Sequence, residues 1–153
     1  MKPWQLVATL ALASSALGAQ GKPTPASPWA PRGAVAVGDT VRDSLTRRDA
    51  LLPAESTYAQ EWRLAGTAGN TVTIDIAADA FDAYAFLLGP GFEAAPPQDD
   101  DSGGRCNARL TVRLPQTGDY FIVVTSSDRF ATGPFTLVVA TGPKSISLAP
   151  CAR

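Results

Sequence analysis

The sequence contains no histidine, and this absence excludes several kinds of catalytic site. Without histidine there is no Ser-His-Asp triad, no Cys-His pair and no histidine-bound catalytic zinc. The serines have no partner base other than Lys144, which is next to Ser145 near the C-terminus. A phosphate-binding glycine loop ending in Gly-Lys-Ser/Thr is also missing. We therefore predict that the protein is not an enzyme, and a small hydrolase built on paired carboxylates stays the weakest alternative.

Two further features are scarce: an excess of charge of one sign and long apolar runs. The 13 basic and 14 acidic residues nearly balance, so the sequence has no basic footprint for nucleic acid. Beyond the N-terminal region, no apolar run approaches the length of about 20 residues that a membrane-spanning helix needs. We predict no nucleic-acid partner and no membrane span in the mature chain.

The N-terminus has the pattern of a secretory signal peptide. Lys2 is followed by an apolar run at 6–13 and then by small residues up to Ala19. We therefore predict a cleaved signal peptide at 1–19 and a secreted or periplasmic protein of the cell envelope. Residues 20–38 contain four prolines and no apolar period, which predicts an extended, mobile linker.

The sequence has only two cysteines, Cys106 and Cys151. An oxidising compartment favours a disulfide between them, although free thiols or an intermolecular bond stay open as alternatives. An intramolecular bridge would tie the C-terminal tail, residues 143–153, back onto the domain.

Short runs with alternating apolar and polar residues fill the region between 39 and 142. Residues 70–76 place Val72, Ile74 and Ile76 on one face, and residues 110–114 follow the same period of two. Residues 83–88 and 120–124 are apolar on both faces, which predicts well-covered central strands. Glycine and proline turns separate these runs. The pattern predicts an all-β fold, a jelly-roll-like antiparallel β-sandwich of about seven or eight strands.

Short motifs also follow one another in a definite order along most of the mature chain. They lie at 37–41, 43–45, 61–64, 68–75, 79–84, 99–104, 107–110, 115–120 and 133–137. Their order and spacing resemble the bacterial pre-peptidase C-terminal (PPC) domain over residues 36–140. Three features depart from that family: no peptidase domain accompanies the module, Phe135 replaces a frequent tyrosine, and the two cysteines are not general in the family.

The resemblance implies a β-sandwich that assists secreted enzymes or engages macromolecules, and that here stands alone. We therefore expect a secreted binding module for a protein or polysaccharide partner. The alternative is a structural envelope or extracellular protein with no specific ligand. Exposed aromatic side chains would indicate a binding face, and Phe92, Phe121 and Phe130 are the candidates, while the alternative is that they pack in the core or anchor loops.

Carboxylates are the other candidate functional groups. The five candidates are Asp79, Asp82, Asp99, Asp100 and Asp101. Calcium takes about six to eight oxygen ligands from flexible loops, and some relatives of the resembled family bind it through such loops. The sequence therefore offers a candidate calcium site, while the alternative is that these side chains are solvated or cap backbone N–H groups.

If calcium binds this site, it must stabilise the native protein. The expected result is a higher thermal midpoint in millimolar calcium than in chelator, because a ligand of the native state raises its stability. Differential scanning fluorimetry measures the two midpoints. Equal midpoints would exclude a structural calcium site.

Overall fold

The computed structural model describes residues 29–152, which form two stacked β-sheets. The predicted signal peptide and residues 20–28 of the predicted linker lie outside this range. In the described part, the strands are β1 Gly33–Val35, β2 Thr40–Leu45, β3 Ala50–Leu52, β4 Thr57–Gly66, β5 Thr71–Ala77, β6 Ala83–Leu88, β7 Gln98–Asp99, β8 Ala108–Arg113, β9 Gly118–Ser126 and β10 Gly133–Thr141. No helix in this range is long and apolar enough to cross a membrane.

The sheets differ in size and order. One has six strands in the order β1-β4-β9-β6-β7, with β3 pairing β4 as well, and the other has four in the order β2-β10-β5-β8. All pairings are antiparallel except that of β1 with β4. The predicted antiparallel β-sandwich is therefore confirmed.

The core between the sheets follows from side-chain alternation along each strand. On β6, Ala83, Ala85 and Leu87 are fully buried, whereas the three residues that alternate with them are only partly buried. On β5, the predicted inward residues Val72, Ile74 and Ile76 all belong to the core. Because successive side chains of a strand point to opposite faces, each strand contributes every second residue to the shared interior.

Tyr120 anchors one end of this interior. Its ring is fully buried, and a Cβ atom added at Gly66 or Gly89 would come within 2.6 Å and 2.5 Å of it. Its hydroxyl donates to the carbonyl of Gln116 at 2.7 Å, so a buried polar atom keeps a hydrogen bond. Glycine is therefore needed at both positions, because the Tyr120 ring occupies the space that a side chain there would take.

The sequence-based strand count was too low, because about seven or eight strands were expected and ten are present in residues 29–152. The extra strands include β1, β3 and β7, which have three, three and two residues. So few residues cannot display an alternating pattern. The predicted linker at 20–38 is wrong at its C-terminal end, because β1 pairs with β4 there and the amide of Arg32 donates to the carbonyl of Glu61.

The C-terminal tail packs across the outer face of the four-stranded sheet. Its Lys144 ammonium lies 2.6 Å from the Asp75 carboxylate, which also pairs with Arg109. Further along, the amide of Ser147 donates to the carbonyl of Ser102 at 2.8 Å. The predicted disulfide between Cys106 and Cys151 then fastens the end of the tail, and it is confirmed.

Removing this disulfide is expected to destabilise the protein. The two cysteines are 45 residues apart, and a loop of that length corresponds to about 4 kcal/mol in the chain-entropy model. The double variant C106A/C151A should therefore lose about 2–4 kcal/mol of unfolding free energy, measured by urea denaturation. Dithiothreitol should destabilise the parent chain and leave the variant unchanged. Equal stability of oxidised parent and variant would contradict the tail's role as a covalent staple.

Candidate functional site

The outer faces of the two sheets have opposite character. On the four-stranded sheet, the outer face carries polar side chains such as Thr73 and Thr111, whose hydroxyls are 2.9 Å apart. The C-terminal tail covers part of this face, and the Thr73 hydroxyl also donates to the carbonyl of Gly142. These two hydroxyls therefore have their hydrogen-bond partners within the molecule.

The outer face of the six-stranded sheet is apolar along β6 and the facing part of β9, whereas β4 contributes the buried Glu61 and the ion-paired Arg63 beside them. Tyr84, Phe86 and Leu88 of β6 alternate with the core residues and lie on this face, where they are half-buried. Directly opposite Phe86 and Leu88, β9 contributes Val123 and Phe121. Residues that face each other across antiparallel strands share one side of the sheet, so these side chains form one apolar patch, in which Val123 is fully buried and the others are partly exposed.

This surface shows where the interpretation of 83–88 and 120–124 as well-covered strands was incomplete. Both segments are central, as predicted, and their inward residues are fully buried. Phe121 and Phe86, however, keep part of their surface accessible. An apolar run on both faces of a strand predicts burial on both sides, yet the sandwich covers only one side of this sheet.

A groove, here called the Tyr84 groove, runs over this face. Its main lining side chains are Leu52, Glu55, Tyr84, Phe86, Leu88 and Gln98, and its volume is about 250 Å³. Leu52 at the end of β3 and Glu55 in the turn before β4 belong to one hairpin, the next three side chains come from β6, and Gln98 comes from β7. The rings of Tyr84 and Phe86 are 6.0 Å apart and tilted by 52°. The groove is large enough for one or two side chains of a partner.

Negative charge lies at one end of the Tyr84 groove. An adjoining cavity of about 370 Å³ shares Tyr84, Glu55 and Gln98 with the groove and adds Asp99 and Asp100 to its lining. The Tyr84 hydroxyl donates to the Gln98 side-chain oxygen at 2.5 Å. Burial raises the pKa of Tyr84, and the charges of Asp100 and Glu55 raise it further. The tyrosine hydroxyl therefore lies in a negative electrostatic environment.

Two larger cavities lie near Asp79. One, of about 410 Å³, extends from Arg42 to Pro134, and the other, of about 520 Å³, lies beside Arg105 and the end of the tail. Neither is lined by a half-buried aromatic side chain. Binding pockets are mainly lined by apolar and aromatic side chains with a few polar groups, and the Tyr84 groove fits this description better.

The five predicted metal-ligating carboxylates do not come together as one cluster. Among residues 29–152, the metal-capable group of three or more ligand atoms within 4.8 Å consists of Asp82, Cys106 and Cys151. The two sulfurs are bound to each other, so this group is the disulfide with a carboxylate beside it. Asp79, Asp100 and Asp101 are exposed. Calcium binding therefore stays a prediction, with no converging set of carboxylates to support it.

Asp99 fits the capping alternative. Its Oδ2 accepts hydrogen bonds from the amides of Ser102 at 2.9 Å and Arg109 at 2.8 Å. The carboxylate therefore joins the loop after β7 to the beginning of β8. Asp128 has a similar role, because its carboxylate accepts from the amide of Asp82 at 2.9 Å.

The three candidate phenylalanines have different environments. Phe92 packs on the buried Tyr120 ring with centroids 5.9 Å apart, so it anchors its loop. Phe130 is 54% exposed and lies 6.3 Å from the Tyr58 ring. Phe121 is half-buried on the outer face of the six-stranded sheet. Phe121 is thus the one of the three that belongs to the apolar surface described above.

Comparisons with known proteins concern the fold. A pre-peptidase C-terminal domain of a collagenase from Bacillus anthracis superposes with a TM-score of 0.56 at 12% identity, covering 74% of this chain and 99% of that domain. PliG from Aeromonas hydrophila, a periplasmic inhibitor of g-type lysozyme, gives 0.49 at 19% identity, covering 72% and 98%. PliG from Salmonella Typhimurium gives 0.46 at 16%, with the same coverage. No protein-family model and no curated protein match the chain.

The similarity to the collagenase domain agrees with the fold that the motif resemblance predicts. At 12% identity it shows a shared architecture and nothing about a ligand. Membership of the PPC family stays a prediction. A function for this chain therefore has to be inferred from its own surface features.

The capping role of Asp99 predicts a specific loss of stability. Asp99→Ala leaves two backbone amides without their acceptor, which should cost about 2 kcal/mol of unfolding free energy. Asp100→Ala, the matched control in the next position, should change stability by less than about 0.5 kcal/mol. Urea denaturation in chelator measures both. Equal effects of the two substitutions would contradict the capping role.

Proposed function

We propose that the protein is an exported, non-catalytic binding module that engages an extracellular protein or polysaccharide through the outer face of the six-stranded sheet. The observation that carries this proposal is the apolar patch on which Tyr84, Phe86, Leu88 and Phe121 remain partly exposed around the buried Val123. Contiguous apolar surface of this kind on a small domain is typical of interaction sites. Fully burying a large apolar side chain contributes about 1.5–3 kcal/mol, and these half-buried side chains would each contribute only part of that, so a partner has to cover several of them together.

Export is supported by two independent features. The N-terminal pattern is that of a secretory signal peptide, and the disulfide between Cys106 and Cys151 is typical of oxidising compartments. A binding module outside the cytoplasm meets surface polymers and other exported proteins. These are the two partner classes in the proposal.

The proposal predicts that binding depends on Phe86. The mature protein is tested for retention on insoluble cell-wall and matrix polysaccharides and for recovery of partners from the exported protein fraction. Phe86→Ser should weaken the retention or the recovery by about tenfold or more, because aromatic residues at interface centres dominate binding energy. Val138→Ser is the matched control, since Val138 is a half-buried apolar residue on the outer face of the four-stranded sheet.

The control variant should bind like the parent chain, and both variants should unfold cooperatively. Two results would contradict the proposal. One is that Phe86→Ser binds as well as the parent chain. The other is that the parent chain retains neither a polymer nor a protein.

A further inference from the structure

The Tyr84 groove combines two surfaces that favour different parts of one ligand. Phe86, Leu88 and Leu52 line the groove and offer apolar contact. At the end nearest the Tyr84 hydroxyl, Glu55 lines both the groove and the adjoining cavity, and Asp100 lines the cavity. An occupant that fits both ends must therefore have an apolar group beside a cationic one.

The carboxylates at that end form no ion pair within residues 29–152, and the nearest guanidinium that the hydrogen bonds place there is that of Arg129, which donates to the hydroxyl of Ser56, the residue after Glu55, at 3.2 Å. Of the described residues that line the groove or the adjoining cavity, none is basic. Glu55 and Asp100 are exposed and take part in none of the ion pairs formed within residues 29–152. Asp99 differs, because its carboxylate already accepts two backbone amides. Two carboxylates thus remain available to a charged partner, and charge complementarity indicates that this partner is cationic.

We infer that the Tyr84 groove binds an extended cationic segment of a partner protein, with an aliphatic or aromatic side chain against Phe86 and Leu88 and a lysine or arginine between Glu55 and Asp100. This inference rests on the proposed function and narrows the partner to a protein. The tilt of 52° between the Tyr84 and Phe86 rings means that the two rings do not together form one flat platform for a polysaccharide. The free carboxylates would also repel an acidic polysaccharide.

Ion pairs between a partner and Glu55 or Asp100 would lie close to solvent, and this exposure limits how much each pair can change the binding affinity. An exposed ion pair changes affinity by only a few-fold, and salt screens it. Apolar contact with Phe86 and Leu88 is expected to supply most of the affinity. Charge therefore selects the partner and increases the rate of association.

The probe is a fluorescein-labelled peptide of about a dozen residues that contains leucine, lysine and serine in equal numbers. Two matched peptides carry glutamate in place of lysine, or serine in place of leucine. Binding to the mature, disulfide-bonded chain is followed by fluorescence anisotropy at low and at high salt. The leucine-lysine peptide should bind, and each matched peptide should bind about tenfold more weakly or worse.

The charge contribution is tested with two double variants of equal net charge. Glu55→Gln with Asp100→Asn should weaken binding of the leucine-lysine peptide about fivefold at low salt, and this difference in affinity should shrink at high salt. Asp79→Asn with Asp101→Asn is the control, because these exposed carboxylates do not line the groove or its adjoining cavity. This control should bind like the parent chain.

Several outcomes would overturn the inference. They are equal binding of the leucine-glutamate peptide, equal effects of the two double variants, and no peptide binding at all. Sedimentation velocity tests whether the chain forms a dimer. If it does, and if Glu55→Gln with Asp100→Asn abolishes the dimer, the groove is assigned to a second copy of this chain instead. If the peptide fails but Phe86→Ser still abolishes retention on a polysaccharide, the inference falls and the proposed function stands. If both fail, the proposed function falls as well.

Discussion

The alternation of side chains along β6 and β9 is the constraint on which the rest of the structure depends. These two strands are neighbours in the six-stranded sheet, and β6 and residues 120–124 of β9 are apolar at every position. Their inward residues, such as Leu87 and Ile122, complete the interior shared with the four-stranded sheet. Since a strand cannot turn all its side chains to one side, the other half must face outwards. The apolar outer surface is therefore a direct consequence of how these strands are composed.

The four-stranded sheet meets the same constraint differently. Its strands β5 and β8 alternate apolar and polar residues, so these two strands place threonine, aspartate and arginine side chains on the outer face. The tail uses these groups for attachment, through the Asp75 contacts and the disulfide at Cys151. The four-stranded sheet thus has a mainly polar, partly covered outer face, whereas the outer face of the six-stranded sheet carries a partly exposed apolar patch on β6 and β9. This asymmetry is the physical reason for placing the interaction surface on the six-stranded sheet.

The sequence allows the sandwich to be predicted because alternation within a strand is local. The inward positions of β5 and the pairing of the two cysteines could be predicted in the same way, from a few neighbouring residues or from the compartment. The Tyr84 groove could not, because Leu52, Tyr84 and Gln98 come from segments that meet only through the order of strands in the sheet. Glu55 gave no signal, since an isolated glutamate in a turn is usually solvated. The aspartates, by contrast, were candidate metal ligands because several lie close together in the sequence, although the Asp99 carboxylate caps two backbone amides.

Hydroxyl-radical footprinting with mass spectrometry tests the central claim most directly, because it measures side-chain accessibility on both faces of β6 and β9 at once. The account predicts that Tyr84, Phe86 and Phe121 are oxidised readily in the mature protein. Tyr120 and Phe81, which are fully buried in the interior, should be protected until the protein unfolds. Oxidation of Tyr120 as fast as that of Tyr84, or protection of the whole outer face, would contradict it.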